Sequence, residues 1–138
     1  MQHLSADFLW NAKSNDAAGP PSGSMLQVQE RRLRQVIEMI ELEPSFSIRD
    51  LASKVSLSPA HLQRLFKRQT GTQLGGLVAE RRLQKAAQLL TLSNLSIKEI
   101  AHVVGYRHHS SFVRAFQRRF ARAPKHYRSR ADAADISE

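Results

Sequence analysis

The 138 residues carry 21 Lys and Arg against 12 Asp and Glu, for a formal net charge of +9, with 41% hydrophobic residues and no cysteine. A chain of this length suits one domain, or two very small ones that share an element, and without cysteine neither disulfides nor thiolate metal sites are available. No apolar run approaches the roughly 18–20 residues of a membrane span, and Met1–Trp10 lacks the basic start and apolar stretch of a signal peptide.

Residues 1–25 read as a flexible tail and linker. Asn15 to Met25, NDAAGPPSGSM, is rich in Pro, Gly and Ser. Ahead of it, Leu4, Phe8, Leu9 and Trp10 can form one apolar helical turn, read as part of a disordered tail, as the remnant of something upstream, or as a short docking peptide for a partner. The first helix is predicted from about Leu26 to Glu43, with Leu33, Val36, Ile37 and Ile40 inward and Pro44 ending it. Ser47 with Asp50 then gives a capping-type start, followed by Ile48, Leu51, Ala52 and Val55 on one face. Ser58-Pro59 opens the next helix as an N-cap with proline at the first helical position. Leu62, Leu65 and Phe66 face inward from it, His61, Gln63, Arg64, Lys67 and Arg68 outward, and Gly71 closes it.

Leu74 to about Leu92 is predicted as a single helix whose apolar side is Leu83, Ala86, Ala87, Leu89 and Leu90. At about 1.5 Å per residue it spans roughly 27 Å, near the roughly 34 Å between successive major-groove faces of DNA. Ser96 and Glu99 repeat the capping pattern, with Ile97, Ile100, Ala101 and Val104 inward and Gly105 at a sharp turn. The last predicted helix carries Phe112, Phe116 and Phe120 four apart as an inward aromatic stripe, with Arg114, Gln117, Arg118 and Arg119 facing elsewhere.

The two halves are copies. Ser47, Ile48, Leu51, Ala52 and Val55 match Ser96, Ile97, Ile100, Ala101 and Val104 at an offset of 49. After the turn the offset becomes 50, pairing Leu62, Arg64, Phe66, Arg68 and Leu77 with Phe112, Arg114, Phe116, Arg118 and Tyr127. One residue inserted in the second turn accounts for both offsets. A helix, a tight turn and a basic amphipathic helix make a helix-turn-helix, whose second helix enters the DNA major groove. Charge supports that reading. Arg31 to Arg130 holds twenty basic residues against six acidic ones, and Val103 to Ala131 holds seven Arg and one Lys with no acid. A one-sign stripe is an electrostatic footprint for phosphate, where an ordinary surface mixes signs.

The segment from about Leu26 to Arg128 resembles the DNA-binding domain of the AraC/XylS family of bacterial transcription regulators. The resemblance rests on the R-L-x-x-A-x-x-L-L run at Arg82–Leu90, S-I-x-E-I-A-x-x-x-G-Y at Ser96–Tyr106, S-x-F-x-R-x-F at Ser110–Phe116 and P-x-x-Y-R at Pro124–Arg128. It implies an all-α fold of two helix-turn-helix modules joined by a helix; with the predicted elements, the expected organisation is a tail and linker over 1–25, one helix-turn-helix subdomain over 26–73, a connecting helix over 74–92, a second subdomain over 93–130 and a C-terminal tail over 131–138. It further implies a monomer that acts most often as an activator and also touches RNA polymerase, in the bacterial cytoplasm at the nucleoid. Four positions depart from the family pattern. Gly75 and Gly76 begin the connecting helix, His108 stands where a small polar N-cap is common, and Ala121 replaces a common glycine.

For base edges the expected residues are Ala60, Gln63 and Arg64 on the first recognition helix. On the second they are His109, Ser110, Val113 and Arg114, by helical spacing and by the resemblance. Gln pairs with adenine, Arg with guanine, and Ala or Val methyls meet the thymine methyl. Ser58, Lys67, Arg68, Ser111, Arg118 and Arg122 are expected on phosphates, which position without reading sequence. Arg82 is expected in packing or in an ion pair with Glu99 or Glu80. The six histidines make no metal set, since His108 and His109 point about 100° apart on a helix and no Cys completes them. No nucleophile–base pair, Gly-rich phosphate loop or paired carboxylate supports an enzyme, and no cofactor is expected. The expected partner is double-stranded DNA, with no membrane. The leading expectation is a sequence-specific regulator without a sensing domain of its own. The alternatives are a protein-interaction module on the same scaffold and, against a starting Met1, the DNA-binding fragment of a longer ligand-sensing regulator.

Overall fold

The computed structural model describes residues 24–136, and the expected apolar turn over Leu4–Trp10 lies outside them. Among the described residues every regular element is a helix: α1 (Ser24–Leu42), α2 (Ile48–Lys54), α3 (Pro59–Thr70), α4 (Leu74–Leu92), α5 (Ile97–Val103), α6 (His109–Phe120) and α7 (Pro124–Ile136). The last of these extends through residues 131–136, where the sequence predicts a C-terminal tail. None of the helices is long and apolar enough to cross a membrane. The chain divides into two compact units, one up to Val78 and one from Ala79, so the division falls inside α4.

In the first unit, Leu33, Val36, Ile37 and Ile40 of α1 close over Leu51, Ala52 and Val55, Leu62, Leu65 and Phe66 of α3, and Leu74, Leu77 and Val78 of α4. Short helices such as α2 are marginal in isolation, so their ends matter. The Ser47 hydroxyl accepts from the Asp50 amide at 3.0 Å while the Asp50 carboxylate accepts from the Ser47 amide at 3.2 Å. The Ser58 hydroxyl accepts from the His61 amide at 3.1 Å, with Pro59 at the first helical position of α3. Gly71 ends α3 in the left-handed conformation at φ 77°, its amide donating to the Lys67 carbonyl.

The second unit repeats the plan with an aromatic core. Leu83, Ala86, Ala87 and Leu90 of α4 pack with Ile100, Ala101, Val104, Phe112 and Phe116, and Tyr106, Phe120 and Tyr127 close the edges. Phe116 is fully buried at the hub, its ring 5.8 Å from Phe112, 4.6 Å from Phe120 and 5.3 Å edge-on from Tyr127. The Ser96–Glu99 capping box forms at 3.0 and 2.9 Å.

The two turns are built alike. Leu57 donates to the Ala52 carbonyl at 3.0 Å and Tyr106 to that of Ala101 at 2.9 Å; Ser56 donates to Ser53 and Gly105 to His102. Every one of these pairs is 49 apart in number. Ser56 and Gly105 both have positive φ, 60° and 106°. The N-caps Ser58 and His108 are already 50 apart, so the inserted residue is Arg107, after the turn hydrogen bond and before α6. The departures noted in the sequence show themselves here. His108 makes no side-chain cap hydrogen bond, and Ala121 ends α6 at φ 60°, ψ 21°.

Candidate nucleic-acid interface

The amphipathic spacing of α3 and α6 decides what each leaves outside. Leu62, Leu65 and Phe66, and correspondingly Phe112 and Phe116, are buried. The opposite face of α3 then leaves Ala60, Gln63, Arg64, Lys67 and Arg68 exposed, and that of α6 leaves His109, Ser110, Ser111, Arg114 and Arg118 exposed. Ser58 is exposed too, with its hydroxyl engaged in capping α3. Val113 is half-buried and packs against the second core, and Arg122 is half-buried beyond the end of α6. Lys67 Nζ lies 3.1 Å from the Gly71 carbonyl, where a cation meets the negative end of its own helix. In each unit most of the expected residues share the solvent side of α3 or α6; Val113, turned half into the core, and Arg122, past the end of α6, do not. The same two arginines recur there, four residues apart: Arg64 and Arg68 on α3, Arg114 and Arg118 on α6.

The basic stripe of the second half is not uniform. Arg119, expected to face away from the core, is tied to the scaffold instead. Its Nε lies 2.9 and 2.8 Å from the two Glu80 carboxylate oxygens and its Nη2 2.7 Å from one of them, and its guanidinium sits 4.8 Å from the Phe120 ring centre. The arginine hydrogen bond and charge hold the Glu80 carboxyl below the ordinary carboxylate range, and the carboxylate in turn raises Arg119. Gln84 adds a donor to Glu80 at 3.3 Å and itself accepts from the buried Arg81 at 3.0 Å. The signal was present in the sequence: Arg119 is three residues past Phe116 and seven past Phe112, which puts it at the margin of the buried face.

Arg128 is a second cation with an internal task. Its Nε donates to the Leu90 carbonyl at 2.9 Å and its Nη2 to those of Ser93 and Leu89 at 3.2 and 3.5 Å. Those carbonyls end α4, where a helix leaves its last acceptors unfilled. Arg82, half-buried, lies 5.7 Å from the centre of the Tyr106 ring. Burial lowers the Arg82 pKa and raises that of Tyr106, and their mutual attraction opposes both shifts. Glu99, by contrast, accepts from the Ser96 amide in its capping box, and the hydrogen bonds with Ser96 lower its pKa. Sequence reasoning missed the Arg119 and Arg128 anchors because their partners lie 39 and 38 positions away.

Comparison with known proteins agrees with this geometry. The family model described as a helix-turn-helix domain matches residues 51–130, more than half of the chain. The right origin-binding protein of Escherichia coli strain K12 is 38% identical over 87 residues, which are 63% of this chain and 30% of that protein. The regulator GlxA of Rhizobium meliloti is 33% identical over 131 residues, 91% of this chain and 40% of that protein. The chain therefore spans 30% and 40% of the lengths of these two relatives. Among solved structures, a Chromobacterium violaceum transcriptional regulator with an AraC-type DNA-binding domain superposes with a TM-score of 0.61 at 27% identity, covering 79% of this chain and 96% of that one. With its duplicated capping boxes, matched turns and two cationic second helices accounted for, the chain belongs to the AraC-type helix-turn-helix family of transcription regulators.

Proposed function

We propose that this chain binds double-stranded DNA sequence-specifically and regulates transcription, reading bases through α3 and α6. The observation that carries this is the repeated pair of exposed arginines, Arg64 with Arg68 and Arg114 with Arg118, on helices whose opposite faces are buried. Arg64 and Arg114 suit guanine, and Gln63 suits adenine. Ala60, His109 and Ser110 share that face, and Val113 offers the thymine methyl only its exposed edge. Arg68, Arg118, Lys67, Ser58, Ser111 and Arg122 serve phosphates. No chemistry of an enzyme is part of this reading. Resemblance adds the finer points: action as a monomeric activator that also touches RNA polymerase, in the cytoplasm at the nucleoid.

The test is selection of bound duplexes from a random pool at two salt concentrations, then Arg64→Ala and Arg114→Ala on the selected site. Each substitution should cost about 1–3 kcal/mol and relax the base preference at one position. Unchanged discrimination between selected and scrambled duplex in both variants would refute base reading and favour an interaction module on the same scaffold.

A further inference from the structure

The first unit carries an open groove of about 650 Å³, bounded by Arg64, Lys67 and Arg68 of α3 and by Leu74 and Gly75 at the start of α4, with no acidic residue among those lining it. Gly75 and the adjacent Gly76 weaken the opening turn of α4, because glycine is among the poorest helix formers. The fold makes no demand for either. Both lie outside the positive-φ glycines, Gly71 and Gly105. A Cβ built at Gly75 would meet only Ile48 Cδ1 at 4.0 Å, an ordinary contact, and one at Gly76 would meet nothing within 4 Å. A glycine that costs stability and answers no need of the chain itself points to something that approaches from outside. The internal repeat sharpens this. At the offset of 50, Gly75 and Gly76 correspond to Lys125 and His126, both exposed in the first turn of α7. The second copy extends side chains, one of them a cation, where the first presents bare main chain beside three cations.

We propose that Gly75 floors a seat for the sugar–phosphate backbone of a bound duplex. Its missing side chain lets one phosphate settle against the main chain of α4 within reach of Arg64, Lys67 and Arg68. This rests on the DNA-binding reading and adds to it a contact residue that has no side chain. The groove is cationic on one wall only and open along its length, which fits a polyanionic strand passing beside the base-reading face of α3. Lys67, exposed and resting on the Gly71 carbonyl, can swing onto that phosphate.

The experiment compares Gly75→Ala and Gly76→Ala, in the full chain, for unfolding midpoint and for binding to the selected and a scrambled duplex across a salt series. Both variants should unfold at a higher midpoint than the wild type. Gly75→Ala should bind both duplexes more weakly by about tenfold or more, the worth of one hydrogen bond to a charged group. Its log–log salt slope should be shallower by about 0.9, one phosphate fewer, and Gly76→Ala should bind like the wild type. Wild-type affinity and slope in Gly75→Ala overturns the proposal. So does an equal loss in Gly76→Ala, which would make the glycine pair a loosened joint. Failure of the wild type to bind any duplex more tightly than scrambled DNA would instead remove the reading beneath it.

Discussion

Replacing Ala121 by glycine should stabilise the second unit, although it deletes a methyl group and fills nothing. Ala121 closes α6 at φ 60°, ψ 21°, in the left-handed region, and is exposed. An L-residue held there pays roughly 1–2 kcal/mol relative to glycine, because Cβ crowds the following carbonyl oxygen. Against that, glycine makes the unfolded chain more flexible, which costs about 0.4–1 kcal/mol. The difference leaves a net gain of up to about 1.6 kcal/mol for Ala121→Gly, centred on about 0.8 kcal/mol. The first unit supplies internal controls. Ser56, exposed at φ 60°, should respond to Ser56→Gly in the same direction. At Gly71, φ 77°, a Cβ would meet nothing within 4 Å, so Gly71→Ala isolates backbone strain from crowding and should destabilise. Urea unfolding of the three variants by circular dichroism reads these changes as midpoint shifts at constant slope. A lowered midpoint in Ala121→Gly, or a raised one in Gly71→Ala, would refute the argument from backbone conformation.

Two further outcomes follow from the anchored arginine. The Glu80 carboxyl has a folded-state pKa below its ordinary value, so its pairing contributes stability above the ordinary carboxylate pKa and loses it as pH falls through the depressed value. With the Arg119 side chain 43% exposed, solvent screening keeps the contribution to about 1 kcal/mol or less. Glu80→Gln should therefore lower the urea midpoint at pH 7 and converge on the wild type as the pH falls through the depressed Glu80 value; a gap that does not narrow with acidification would contradict this linkage. In DNA binding, Arg118→Gln should make the salt slope shallower by about 0.9, whereas Arg119→Gln should leave it unchanged, since Glu80 already holds that cation. A slope change in Arg119→Gln equal to that of Arg118→Gln would place Arg119 on a phosphate.

Sequence alone determined a good deal of this protein, and it did so wherever the cause is local. Ser47 with Asp50, and Ser96 with Glu99, close their capping boxes within three residues. Pro59, Gly71 and Gly105 mark a helix start, a helix end and a turn through intrinsic backbone preference. Periods of three and four fixed the buried sides of α3 and α6, and hence which arginines face water. The near-repeat at 49 and 50 predicts two like units. The structure adds that Ser56, at the position matching Gly105, shares its left-handed geometry.

What only the tertiary structure decided is which charges are spent inside the molecule. Arg114, Arg118, Arg119 and Arg128 are the same residue type in one basic stretch, and no count of sign separates them. Arg119 becomes a clamp on Glu80, and Arg128 a cap on the carbonyls of Leu89, Leu90 and Ser93. Val113 is drawn half into the core, and Gly75 comes to line a cationic groove. Each of these outcomes depends on packing between elements distant in the chain. A helical period reports the direction of a side chain from its own axis, while the partner it finds there is set by how the helices meet.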